Sequence, residues 1–498
     1  MKGDLSALLA APAPGSAQRW LEAARGPRTV DRADVASLAS RWHGAIAPGL
    51  RVGLLAPEPL DLAALLVCLV AAGAVVVPLD PSAPEPARRE LLRRAGARLV
   101  LTAGGAAGEG LLPVGSDLAP PPGLPEVGGR SERPGGVLLF SSGSTGPRKA
   151  VLLEEGQLLH VARAVAGAHR LTPADRGLNP LPLFHVNAEV VAVLGSLVSG
   201  GELVLDGRFH RTGFADLVAR RRITWVNAVP AILSILAAEP GHDPLPDAVR
   251  FVRSASAPLP VPVLERFERR WAVPVVETYG MTEAASQITA NPLDACRPGS
   301  VGLPVGVELR VRDGRVWIRG PGVIRAYADG EAADRFDADG WLDTGDIGRL
   351  DDDGYLYLSG RGGDAINRGG EKIFPREIEE VVRRHPGVRD AVVVPAPDPV
   401  LGEVPVAFVI PATAASSSSG GSRGAEPPFG PDADQLSADL RRLCDGELAR
   451  AHRPAQLRLV ASLPLGATGK VSRPALREQL AAEQAALEER AVEVEPAR

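Results

Sequence analysis

Residues 62–78, LAALLVCLVAAGAVVVP, decide the fold. The run approaches the length of a membrane span, for which about 20 apolar residues are needed. Gly73 divides it. The piece before the glycine is rich in Leu and Ala and reads as a buried helix. The piece after it is β-branched and reads as a strand covered on both faces. A buried helix feeding a buried parallel strand is α/β core, so no membrane anchor is expected here. Runs of the same β-like kind recur at 51–56 (RVGLLA), 136–140 (GVLLF), 202–207 (ELVLDG), 223–230 (ITWVNAVP), 249–257 (VRFVRSASA) and 273–280 (VPVVETYG). Stretches of helical period separate them, and such alternation predicts layered, mostly parallel sheets.

The pattern changes over 307–360. VELRV, RVWIRG, WLDTGDIGRL and GYLYLSG are closely spaced strands with acidic, Gly-containing turns, which predicts an antiparallel portion or a small barrel. GRGG (360–363) follows, and then a short α+β stretch. There PREIEEVVRRHPG (375–387) carries Pro at its start, acids in the first turn, Arg383 and Arg384 in the last, and Pro386-Gly387 as its stop. The expected architecture is therefore α/β. A large N-terminal domain (1–360) is expected to have layered, mostly parallel sheets and a small β-barrel-like portion; the domain boundary falls at 361–363; a small α+β domain (364–498) follows. Within that domain the Ser/Gly/Pro-rich 412–434 is expected to be a disordered loop. The N-terminal MKGDLSALLAAPAPG makes a poor signal peptide and is expected to form a frayed helix, and the charged tail 476–492 a solvated face.

At 498 residues the chain exceeds one ordinary core. A net charge of −5 and the lack of a basic block interleaved with aromatics exclude nucleic acid and anionic membrane as expected partners. The three cysteines, Cys68, Cys296 and Cys444, lie far apart, which argues against a disulfide framework or a zinc site. A reducing, cytoplasmic setting is expected.

Lysine is nearly absent. Of 55 basic residues only four are Lys: Lys2, Lys149, Lys372 and Lys470. All but the terminal one sit in Gly-rich stretches, SSGSTGPRKAV (141–151), NRGGEKIFP (367–375) and PLGATGKVSR (464–473). An ammonium is a compact point charge on a thin stem, suited to reaching one phosphate or carboxylate oxygen where a planar guanidinium would crowd. The first of these stretches follows an apolar strand. Ser141, Ser142, Gly143, Ser144, Thr145 and Gly146 can close backbone N–H groups and hydroxyls around phosphate oxygens, with Lys149 adding charge. The spacing is not that of a Walker loop.

Five motifs taken together resemble the adenylate-forming superfamily, which includes acyl-CoA synthetases, adenylation domains of peptide synthetases and beetle luciferases. They are the phosphate loop from Phe140 to Val151, Tyr279-Gly280-Met281-Thr282-Glu283, Thr344-Gly345-Asp346, the GRxxDxIxxxGxxIxPxEIE pattern from Gly360 to Glu379, and PxxxxGKxxR from Pro464 to Arg473. The resemblance implies a ligase that joins a small carboxylic acid to coenzyme A at the expense of ATP with Mg2+, through an acyl-adenylate. The alternatives are an acyl-AMP ligase that loads a carrier-protein pantetheine or an amine, or an enzyme that performs only one of the two half-reactions. It implies that Tyr279 stacks on adenine beside Gly280, with Ser256 and Ala257 along the adenine edge. Asp346 and Arg361 would hold the ribose, Thr282 the α-phosphate, and Glu283 the metal. Lys470 would reach between the carboxylate and the α-phosphate. It further implies a mobile second domain with its hinge at 361–363, pivoting at Gly363 and presenting the Lys470 loop in one orientation. In the other it presents Gly369, Gly370 and Lys372 to CoA.

Within the superfamily, PLFHVN (182–187), RSASAPL (253–259) and MTEAASQITANPL (281–293) are most similar to the oxalate- and small-acid-CoA ligase branch. His185 would lie beside the acyl group. Asn187 and Ser286 stand where that branch usually has histidines able to hold a second carboxylate. This predicts a monocarboxylic acid with apolar bulk, not oxalate. Arg148 and Ala150 depart from the usual Pro and Gly of the phosphate loop, and Gly363 replaces the usual Asp or Lys of the pivot, predicting a looser one.

Overall fold

The computed structural model describes residues 5–11, 19–22, 28–104, 111–122, 124, 135–141, 149–238, 244–330, 332–412, 432–464 and 471–493. The deciding stretch divides as read. Helix Pro59–Ala71 buries every residue from Leu60 to Val70 and strand Val75–Pro78 is wholly buried. Gly73 turns the chain between them at φ +93°, with Pro48 packed where a side chain would begin, so only glycine takes this corner without strain. No helix among the described residues is long and apolar enough to cross a membrane.

Val75–Pro78 is central in a six-stranded sheet. Its order is Leu111–Pro113, Leu99–Thr102, Arg51–Leu55, Val75–Pro78, Gly136–Phe140 and Ala150–Glu154, parallel except for the last pair. A second sheet has nine strands. Its parallel centre runs Val275–Tyr279, Phe251–Ser254, Trp225–Ala228, Arg176–Asn179, Glu202–Leu205 and Arg19–Glu22, with short antiparallel strands at both edges. Helices between the sheets share one large apolar core.

The strands Glu308–Arg312, Arg315–Arg319, Leu342–Leu350 and Leu356–Arg361 form an open antiparallel meander, the first of the two arrangements expected for 307–360. Turn Gly362–Asp364 then leads into a five-stranded sheet in which Ile366–Arg368 pairs with Glu371–Ile373 and the long Val388–Asp398 pairs with Gly402–Pro411. Helices Pro375–Arg383 and Asp432–Glu447 cover one face of that sheet, and Arg473–Glu493 covers the other. The two clusters on its faces, around Ile378 and Leu440 and around Phe408 and Leu476, give this unit a core of its own.

Three local expectations need correction. The N-terminal helix Leu5–Ala10 is not frayed, because Leu5 and Leu9 are buried and the Leu5 amide donates to the Glu155 carboxylate. The tail is not a solvated face at its start, since Leu476 and Leu480 pack under the C-terminal sheet. Of the expected loop 412–434, residues 432–434 already belong to helix Asp432–Glu447. Residues 413–431 lie outside those described.

Candidate active site

The loops that follow the parallel strands gather most of the expected site residues that the structure describes, as open α/β sheets place ligands beyond the carboxyl ends of their strands. Strand Val275–Tyr279 ends in Tyr279, whose hydroxyl donates to Asp346 Oδ2 at 2.5 Å. Asp346 Oδ1 faces Arg361 Nε at 3.1 Å. Residues from three separate motifs thus form one chain. Burial pushes the Asp346 carboxyl up, and Arg361 only partly offsets it; burial, then Asp346, pushes the Tyr279 phenol up as well.

The backbone accounts for these positions. Gly280 passes so close to the Ser286 carbonyl that an added Cβ would lie 1.4 Å from its oxygen, so the turn admits glycine alone. The chain then makes a short turn at Thr282–Ala284 and takes left-handed φ at Ala285 (+48°) and Ser286 (+95°). Thr282 is left half-buried and Glu283 buried. Asp346 follows Gly345 at φ +79°, and its amide donates to Thr344 Oγ1 at 3.1 Å. Ser256 and Ala257 are exposed just after strand Phe251–Ser254, with Ser256 at φ +72°.

The neck of the phosphate loop is closed by Ser141, whose amide donates to the Lys149 carbonyl (2.9 Å) and whose hydroxyl accepts from the Lys149 amide (3.1 Å). Lys149 Nζ lies 5.2 Å from the centre of the Tyr327 ring. The Tyr327 hydroxyl donates to Glu283 Oε1 (2.9 Å) and accepts from Arg335 Nη1 (2.8 Å). Tyr327 and Arg335 escaped the sequence reading; they belong to no motif, and only the fold brings them to Glu283. Ser142, Gly143, Ser144, Thr145, Gly146 and Lys470 lie outside the described residues.

On the expected acid side, Asn187 opens a wide π-type turn, Asn187–Leu194, a helical irregularity frequent at functional sites. Its Nδ2 donates to Ser256 Oγ at 3.3 Å, tying this wall to the adenine edge. Ser286 is buried, and His185 is half-buried with its ring 4.6 Å from that of Phe184. Gly369 and Gly370, at φ +59° and +90°, form the tight turn between Ile366–Arg368 and Glu371–Ile373, where both central residues need left-handed φ. Lys372 is exposed on the second of these strands. Gly363, in the turn Gly362–Asp364, has no atom within 4 Å of where a Cβ would stand. Gly369, Gly370 and Lys372 belong to the C-terminal sheet, whereas Tyr279 and Asp346 belong to two other sheets.

Comparison with known proteins shows which family the chain is similar to. The AMP-binding enzyme family matches residues 32–328, and the AMP-binding enzyme C-terminal domain matches residues 377–470. A sulfoacetate–CoA ligase of Cupriavidus necator is 40% identical over 406 residues, 78% of this chain and 75% of that protein. An oxalate–CoA ligase of Arabidopsis thaliana is 34% identical over 358 residues, 68% of this chain and 66% of that one. Among solved structures, ATP-bound MatB from Rhodopseudomonas palustris superposes with a TM-score of 0.83 at 25% identity, covering 96% of this chain and 99% of that one. The o-succinylbenzoate CoA synthetase of Bacillus subtilis with its acyl-adenylate intermediate gives 0.79 at 26% identity, covering 96% and 98%.

Proposed function

The chain belongs to the AMP-binding enzyme family, and from that premise we propose that it is an ATP-dependent acid–CoA ligase. A carboxylate oxygen attacks the α-phosphorus of ATP and pyrophosphate leaves, giving an acyl-adenylate. The sulfur of CoA then attacks the acyl carbon and AMP leaves. The first step joins two anions, so cations and oriented donors must carry the charge of the in-line transition state.

The observation that carries this reading is the contact chain Tyr279–Asp346–Arg361. It sets an aromatic face for adenine next to a carboxylate able to accept both ribose hydroxyls. Thr282 is assigned to the α-phosphate, and Ser141 to Gly146 with Lys149 to the outer phosphates. Lys470 is assigned to the gap between the attacking carboxylate and the α-phosphate. Glu283 suits Mg2+, which takes one or two carboxylates and completes its shell with phosphate oxygens and water. Its Oε1 is already held by Tyr327, and among the described residues no cluster of three or more His, Cys, Asp or Glu could bind a metal without substrate. Mg2+ would supply charge neutralisation on the phosphates; Tyr327 and Arg335 fix the carboxylate that receives it. In the second step the C-terminal unit turns about Gly363 and the Gly369-Gly370 turn lines the path of the pantetheine arm.

The test incubates the protein with ATP, Mg2+, CoA and a panel of carboxylic acids and analyses products by mass spectrometry. AMP, pyrophosphate and an acyl thioester in equal amounts are expected. ADP as the stoichiometric product would overturn the assignment.

A further inference from the structure

Arg253, on strand Phe251–Ser254, is 1% exposed. Its Nη1 donates to Asn187 Oδ1 (3.0 Å) and Asn227 Oδ1 (3.1 Å), and its Nη2 to Gln287 Oε1 (3.1 Å). All three acceptors are neutral amides. Among the described residues no carboxylate comes within 4.0 Å of the guanidinium, and its Nε has no hydrogen-bond partner. Burial pulls Arg253 down to about 9, with no carboxylate to draw it back.

An interior cation without an anion is a costly arrangement, and neutral dipoles offset only part of the lost hydration. Its surroundings tie it to the acid. Asn187 bonds Arg253 with one end of its amide and Ser256 with the other, and Gln287 follows Ser286 directly in the chain. Asn187 and Ser286 are the residues assigned to the acid. The guanidinium therefore touches the acid-side wall through Asn187 and Gln287. A planar fork with an unused N–H is the donor set that a carboxylate or sulfonate takes in two parallel bonds.

We infer that Arg253 is a specificity residue for a second anionic group on the acid, so that the substrate class is short acids bearing a carboxylate to be activated and a further carboxylate or sulfonate at the other end. This deepens the ligase reading and rests on it. It departs from the expectation of a monocarboxylic acid with apolar bulk, which rested on the pocket edge around Asn187 and Ser286 and did not weigh Arg253, and the experiment below decides between the two. The bound anion would displace the amide oxygens that now surround the guanidinium and supply the counter-charge that is absent among the described residues.

The experiment measures kcat/KM for thioester formation with malonate, succinate and 3-sulfopropionate against butyrate and valerate. It uses the wild-type chain, Arg253→Gln and Arg253→Lys. A buried polar site rejects analogues that leave it unpaired, so the wild type is expected to favour a dianionic acid by roughly 10²-fold or more. The carboxylate and sulfonate arms identify which anion fits. Arg253→Gln should lower that ratio by a similar factor, chiefly through KM for the dianion, and Arg253→Lys should fall between. A wild-type preference for butyrate or valerate overturns the inference while leaving the ligase reading standing. So does an equal loss for both kinds of acid in Arg253→Gln, which marks a purely structural arginine. Absence of AMP and thioester with every acid overturns the ligase reading and the inference with it. The wild-type preference decides the matter even if a variant does not fold.

Discussion

Two clusters of buried charge differ in what they lack. In the C-terminal unit Glu379, buried on helix Pro375–Arg383, accepts from Arg473 Nη2 at 2.6 Å and from the Val393 amide at 2.8 Å, with Arg383 Nη1 3.5 Å away. Burial raises its carboxyl, but Arg473 and Arg383 outweigh that and hold it below the ordinary carboxylate range. Arg253 in the large domain has amide partners and no carboxylate among the described residues. The first cluster is complete within the protein and serves architecture. The second is a cation with no partner of opposite sign among the described residues, which leaves it free to take an anion from outside the protein. Burial alone does not separate a structural charge from a functional one; the sign balance around it does.

The comparison can be broken most sharply at Glu379. Glu379→Ala leaves Arg473 without an anion in ion-pair reach among the described residues, while Arg383 keeps Asp390 at 2.9 Å; losing one partner of a buried pair costs about 3–5 kcal/mol. Amide hydrogen exchange across Val388–Asp398 should show that loss in the C-terminal unit; a change under about 1 kcal/mol, within the range of a surface pair, would refute the completed-cluster description. The smaller effect is expected at Arg253. In Arg253→Met the relief of an uncompensated charge offsets three lost hydrogen bonds, so stability should move by about 1 kcal/mol or less. A denaturant midpoint that drops as far as that of Glu379→Ala would make Arg253 structural, and the contrast would collapse.

What the sequence disclosed, and what it withheld, follows from the range of each signal. The break at Gly73 was legible because composition and period change within a few residues. Tyr279, Asp346 and Arg361 were legible as motif members, although their mutual contact was not. Glu379 and Arg473 close two motifs, and only the fold shows that one neutralises the other. Arg253 stood in plain view in RSASAPL, yet nothing local separates an arginine facing water from one beneath a strand. Tyr327 and Arg335 reach Glu283 across 44 and 52 positions, beyond any periodic signal. Leu5 and Leu9 were misread because a six-residue helix has too few turns to display an apolar stripe.

The central claim is that the acid is activated by taking up AMP before sulfur attacks it. The most direct measurement uses acid labelled with oxygen-18 in the reacting carboxylate, together with ATP, Mg2+ and CoA, and reads the mass of each phosphorus product after one turnover. An acyl-adenylate that is later displaced by the thiol leaves one carboxylate oxygen on the phosphorus of AMP. The account predicts AMP heavier by one label and unlabelled pyrophosphate. Label in pyrophosphate or inorganic phosphate, or unlabelled AMP beside a formed thioester, would contradict it.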